Sequence, residues 1–138
     1  MTTMTATKAS SSTTRRSPLV IGLCIVDAVL LVVSGLIHLH YARGPYRHVH
    51  TLNWLFVVQF VSCLVAAVVL LVVRHAVVAA GGAALMAGTI VGFILARTRG
   101  IFGFKLGFSS SLANEALVVE AVGVVLMAVT GWILWRRD

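Results

Sequence analysis

Four long apolar runs separated by short polar stretches dominate the chain, over residues 18 to 40, 51 to 73, 76 to 96 and 112 to 135. Each is close to the roughly 20 residues that a helix needs to cross a hydrocarbon core. The second and third runs hold no Asp, Glu, Lys or Arg; the first holds Asp27, and the fourth holds Glu115 and Glu120. Backbone amides in lipid must be satisfied within their own segment, so the runs predict helices. Their many valines do not argue for strands. Transmembrane strands are much shorter and alternate polar with apolar residues, and these runs do neither. The expected fold is therefore all-α, a polytopic bundle of four transmembrane helices.

The connections fit this reading. Residues 1 to 17, "MTTMTATKASSSTTRRS", are rich in Ser and Thr and lack apolar periodicity, which predicts a disordered tail. "TRRSPLV" resembles the start of an export signal. However, the run that follows is longer than a signal core, carries Asp27 and lacks a small-x-small cleavage site, so a retained helix is expected. In "RTRGIFGFKLGFSSS", residues 97 to 111, Gly100, Gly103 and Gly107 break any helix, and Phe102, Phe104 and Phe108 suit an aromatic anchor at the headgroups. Ser111 is the expected N-cap of the fourth helix.

Composition strengthens the membrane assignment. Of the 138 residues, 59% are hydrophobic and 11% charged, whereas soluble domains carry about 25% charged residues. The net charge of +7 would point to nucleic acid in a soluble protein. Here the basic residues flank apolar runs and no basic face with interleaved aromatics exists, so nucleic acid is excluded as a partner and the lipid bilayer is expected. With the N-terminus in the cytoplasm, Lys8, Arg15, Arg16, Arg74, Arg136 and Arg137 lie inside and Arg43, Arg47, Arg97, Arg99 and Lys105 outside. The cluster before the first helix decides for cytoplasmic termini in a plasma-membrane protein. Cys24 and Cys63 lie within apolar runs and behave as small hydrophobes.

Candidate chemistry is confined to a few polar positions. A carboxyl in a membrane helix costs a few kcal/mol, so it faces the bundle interior. At 100° per residue, Asp27, Ser34, His38 and Tyr41 share one face of the first helix. His48, Gln59, Ser62 and Cys63 lie loosely on one side of the second. Counted from their own helix ends, Asp27 and Glu120 both fall near mid-membrane. One reading is a proton or small-cation pathway through Asp27, Ser34, His38 and Glu120; the other is that these groups fix helix register. In "HLHYARGPYRHVH", residues 38 to 50, a turn at Gly44-Pro45 would have to bring His38, His40, His48 and His50 together to hold zinc or copper. The competing reading is a polar layer at the headgroups, and no cofactor is expected. On the third run, Ala80, Ala84, Gly88, Gly92 and Ala96 recur four apart. Such a stripe admits close helix packing, within the chain or with a second copy or membrane partner. No phosphate loop, nucleophile elbow or zinc-protease motif is present, which argues against an enzyme.

"SGLIHLHY", "YRHVHTLNWLFVVQF" and "FGFKLGFSSSLANEALVVEAV" resemble the small four-helix integral membrane proteins widespread in actinobacteria, from about residue 18 to the end. Tyr46-Arg47, His38 and the "LVVEA" around Glu120 match recurring elements of that group. The resemblance implies a four-helix membrane protein and carries no activity, cofactor or catalytic residue. The chain departs from the pattern at Val49-His50, where the group often reads isoleucine-proline. The functional expectation is a non-enzymatic membrane subunit or scaffold, with a proton- or cation-coupled carrier or a metal-handling protein as rivals.

Overall fold

The computed structural model describes residues 17–100, 103 and 111–137. The tail before Ser17 and the aromatic-anchor positions Phe102, Phe104 and Phe108 lie outside the described residues, as does Lys105. Four helices form: α1 (Pro18–Arg43), α2 (His50–Val73), α3 (Ala76–Thr98) and α4 (Ser111–Trp135). All four are long and apolar enough to cross a membrane, which makes this a multi-pass membrane protein. There are no strands among the described residues.

Helix boundaries follow local chemistry. Pro18 stands in the first turn of α1, where its missing N–H leaves no bond unmade. The helix continues past His40 to Arg43, because nothing breaks it before Gly44-Pro45, and the Gly44 N–H closes it on the His40 carbonyl. Between α2 and α3 there are only Arg74 and His75. Arg74 takes the left-handed conformation (φ 49°, ψ 49°), with its N–H bonded to the Leu70 carbonyl. His75 then caps α3, its Nδ1 accepting from the Val77 N–H at 3.2 Å. Ser111, expected as a cap, is itself the first residue of α4.

The helices run up and down around a ring. α1 packs most extensively on α2 and α3 on α4, and the two hairpins meet chiefly along an α1/α4 seam. Glycines set the close approaches. Met127 seats its sulfur against Gly82 and Met86 seats its sulfur against Gly123, a reciprocal pair that locks α3 onto α4. Gly35 does the same for α1 and α2, since a Cβ there would stand 3.1 Å from Cys63 Cβ and 3.3 Å from Phe60.

The buried residues of α3 are Ala76, Ala79, Gly82, Met86 and Ala96, which takes in only the last member of the stripe read from the sequence. Ala84 and Gly88 are exposed, and a Cβ added to Gly88 or Gly92 meets no atom within 4 Å. Packing of that stripe within the chain is therefore corrected at Ala84, Gly88 and Gly92, while Ala96 is buried. A helix interior needs volume as well as closeness, and the face bearing Met86 supplies it opposite Gly123.

Candidate functional site

Polar side chains gather in the bundle in two layers. In the first, α1 contributes Ser34 and His38, both buried because they share the face predicted from their spacing. From α4, Glu120 enters between them and is 3% exposed. Ser34 Oγ donates to Glu120 Oε1 at 3.4 Å, and His38 Nε2 stands 3.6 Å from the same oxygen. His38 Nδ1 lies 2.8 Å from the Ser34 carbonyl oxygen, one turn back, which fixes the ring with Nε2 toward α4. Cys63 of α2 lies beside Ser34 and accepts from Gln59 Nε2 at 3.7 Å. Thr89 of α3 stands beside the Glu120 carboxyl and donates to the Met86 carbonyl at 2.7 Å. Every helix thus supplies at least one polar side chain to this layer.

An aromatic cap closes the layer toward the α1–α2 connection. The Phe56 ring lies 5.7 Å from His38, 5.9 Å from Tyr41 and 5.5 Å from Tyr46, and the two tyrosine rings are 5.8 Å apart. These separations suit tilted aromatic packing. Asn53 donates to the Ala42 carbonyl and ties the start of α2 to the end of α1. Burial, and then the neighbouring Tyr41, push the Tyr46 phenol above its usual range.

The second layer holds Asp27 on α1 and Thr130 on α4, facing each other across the seam, with Cys24 one turn from Asp27. Asp27 is 0% and Thr130 1% exposed. Neither Asp27 oxygen nor Thr130 Oγ1 has a hydrogen-bond partner among the described residues.

The two layers are not at one depth. Glu120 meets α1 at Ser34 and His38, whereas Asp27 meets α4 at Thr130. Seven residues of α1 from Asp27 to Ser34 amount to about 10 Å along the axis at 1.5 Å per residue. Leu31, fully buried, fills the gap with Met86 and Met127. The shared mid-membrane depth expected for Asp27 and Glu120 is thereby corrected: each lies nine residues in from the N-terminal end of its own helix, and in an antiparallel pair those ends are on opposite sides.

The histidines disperse. His38 is inside the bundle, whereas His40 points outward from the continuing helix, opposite to it. His48 is exposed and accepts from Arg47 Nε at 2.8 Å, and His50 begins α2, also exposed. No group of three metal-ligating side chains converges among the described residues, so His38, His40, His48 and His50 do not form the zinc or copper site considered from their spacing. Cys63 faces α1, with Gln59 bonded to it one turn back along α2, whereas His48 lies outside that helix.

Two polar groups and one aromatic ring escaped the sequence reading. Thr89 and Thr130 lie within apolar helices, and only the packing of α3 on α4 and of α4 on α1 gives them meaning. Phe56 had no signal beyond hydrophobicity. Comparison with known protein families, characterised proteins and solved structures finds no match.

Proposed function

We propose that the chain is a non-enzymatic subunit or scaffold of the plasma membrane, with cytoplasmic termini, akin to the actinobacterial four-helix proteins it resembles. It works by packing against a second copy or a larger membrane partner. The observation that carries this reading is the dry layer of Leu31, Met86 and Met127 between the two polar layers. Apolar side chains separate the two polar layers, which supports a role for the upper layer in joining the four helices. The outward small-residue stripe of α3, with open space at Gly88 and Gly92, is a face that another helix can approach closely. Purification from the native membrane in mild detergent tests the reading: companion proteins or a dimer are expected, and Gly88→Leu with Gly92→Leu should release them. A clean monomer without companions would overturn it.

One observation favours a second reading. The unpartnered carboxyl of Asp27 is the kind of group that a proton- or cation-coupled carrier uses. Flux into liposomes that survives both Asp27→Asn and Glu120→Gln, or is absent from the parent protein, would remove this reading.

A further inference from the structure

Buried polar groups in folded proteins are nearly always hydrogen-bonded, and each exception calls for a missing partner. Here three exceptions coincide at one point of the α1/α4 seam: Asp27 Oδ1, Asp27 Oδ2 and Thr130 Oγ1. The surroundings offer little else. On α1 the nearest titratable group is Cys24. From α2, Arg74 acts on Cys24 from the helix end, while its Nε is engaged with the Leu71 carbonyl at 3.0 Å. At this level α3 presents Ala76 and Ala79, which pack on Gly131 next to Thr130. On α4, Arg136 and Arg137 are exposed beyond the helix end, and Glu120 lies across the Leu31 layer.

We propose that Asp27 and Thr130 form a proton-binding site, in which the carboxyl carries a hydrogen and donates it to Thr130 Oγ1. The argument is a count of hydrogens. With an ionised carboxyl, the Thr130 hydroxyl supplies the single side-chain hydrogen for three oxygens, and a full charge stays in an apolar seam. One added proton supplies a second hydrogen and removes the charge. Asp27 then donates to Thr130, and the threonine hydroxyl returns its own hydrogen to the other Asp27 oxygen or to the carbonyl of Leu126, one turn back. A metal cation is a poorer fit, because sodium-, calcium- or magnesium-like ions want about six oxygens and the side chains here offer three. No bond is broken; the ligand is the proton itself.

Infrared spectroscopy on the purified full-length protein in lipid tests this at neutral pH, independently of the subunit reading. A carbonyl-stretch band of a protonated carboxylic acid is expected, shifted downward in heavy water and lost in Asp27→Asn. Glu120→Gln should leave that band in place. Thr130→Val should move it upward, as a carboxyl without a hydrogen-bond acceptor, and Thr130→Ser should restore its position. A parent spectrum in which no such band depends on Asp27 would overturn the proposal, pointing to a carboxylate held by water. If Asp27→Asn does not fold, the threonine pair decides: a band that Thr130→Val leaves unmoved is equally fatal.

Discussion

Replacing Gly123 by alanine probes the contact that joins α3 to α4. The new Cβ would collide with Met86 Sδ and stand 3.0 Å from its Cε, well inside the ~3.5–4.0 Å at which nonbonded atoms rest. Met86 is fully buried, so its sulfur has no lipid-facing escape. Overpacking of this kind costs about 1–3 kcal/mol. That exceeds the ~0.6 kcal/mol average of a side-chain hydrogen bond between membrane helices, so packing outweighs the Ser34–Glu120 bond. Gly82→Ala, which meets Met127 Sδ at 2.8 Å, should cost less, and Gly88→Ala, which meets nothing, least. Reversible unfolding in detergent titrated with a denaturing surfactant, followed by helical circular dichroism, gives the ranking. Met86→Ala completes a cycle. Alone it leaves a cavity worth about 2–5 kcal/mol in soluble cores, yet it should make Gly123→Ala less costly by about 1–3 kcal/mol. Additivity of the two substitutions, or equal stability of Gly123→Ala and Gly88→Ala, would refute the reasoning.

Two further outcomes follow from local geometry. Arg74→Val should destabilise by about 1–2 kcal/mol relative to Arg74→Gly, because both lose the charge and only valine pays for the left-handed backbone; the same surfactant titration measures it. Tyr46 bears on alkaline stability. Its phenol is raised in the folded protein by burial and by Tyr41, so its contribution is intact below the ordinary value of about 10 and fades as pH climbs through the folded one. Thermal melts of the parent should therefore weaken at high pH more than those of Tyr46→Phe, and parallel curves would contradict this.

The four helices were legible in the sequence because the bilayer leaves a chain of this hydropathy few choices. Run length and the need to satisfy each amide internally are enough. The inward face of α1 was legible too, since Asp27, Ser34, His38 and Tyr41 are the polar residues that one helical face collects. What the sequence withheld is relative placement. In a water-soluble bundle the apolar stripe announces which side of each helix turns inward. In lipid both sides are apolar, so α3 could not declare that Met86 faces inward while Gly88 faces out. Register was closer to hand than rotation: with α1 and α4 antiparallel and their ends level, Glu120, nine residues in from Ser111, falls beside Ser34, nine residues back from Arg43, and so at a different depth from Asp27. The histidines misled because alternating spacing suits an extended loop, and the helix simply runs on to Arg43.

That placement separates two roles which looked like one. Glu120 meets α1 at Ser34 and His38, with Thr89 and Cys63 close around it, so this layer joins polar groups from all four helices. Asp27 faces Thr130 in the other layer, and neither of its oxygens has a hydrogen-bond partner of good geometry among the described residues. A leucine at this position would sit in the same seam without the cost of a lone carboxyl. For a carboxyl facing one hydroxyl in an apolar wall, a bound proton removes the charge and supplies the hydrogen that joins Asp27 to Thr130 across the seam.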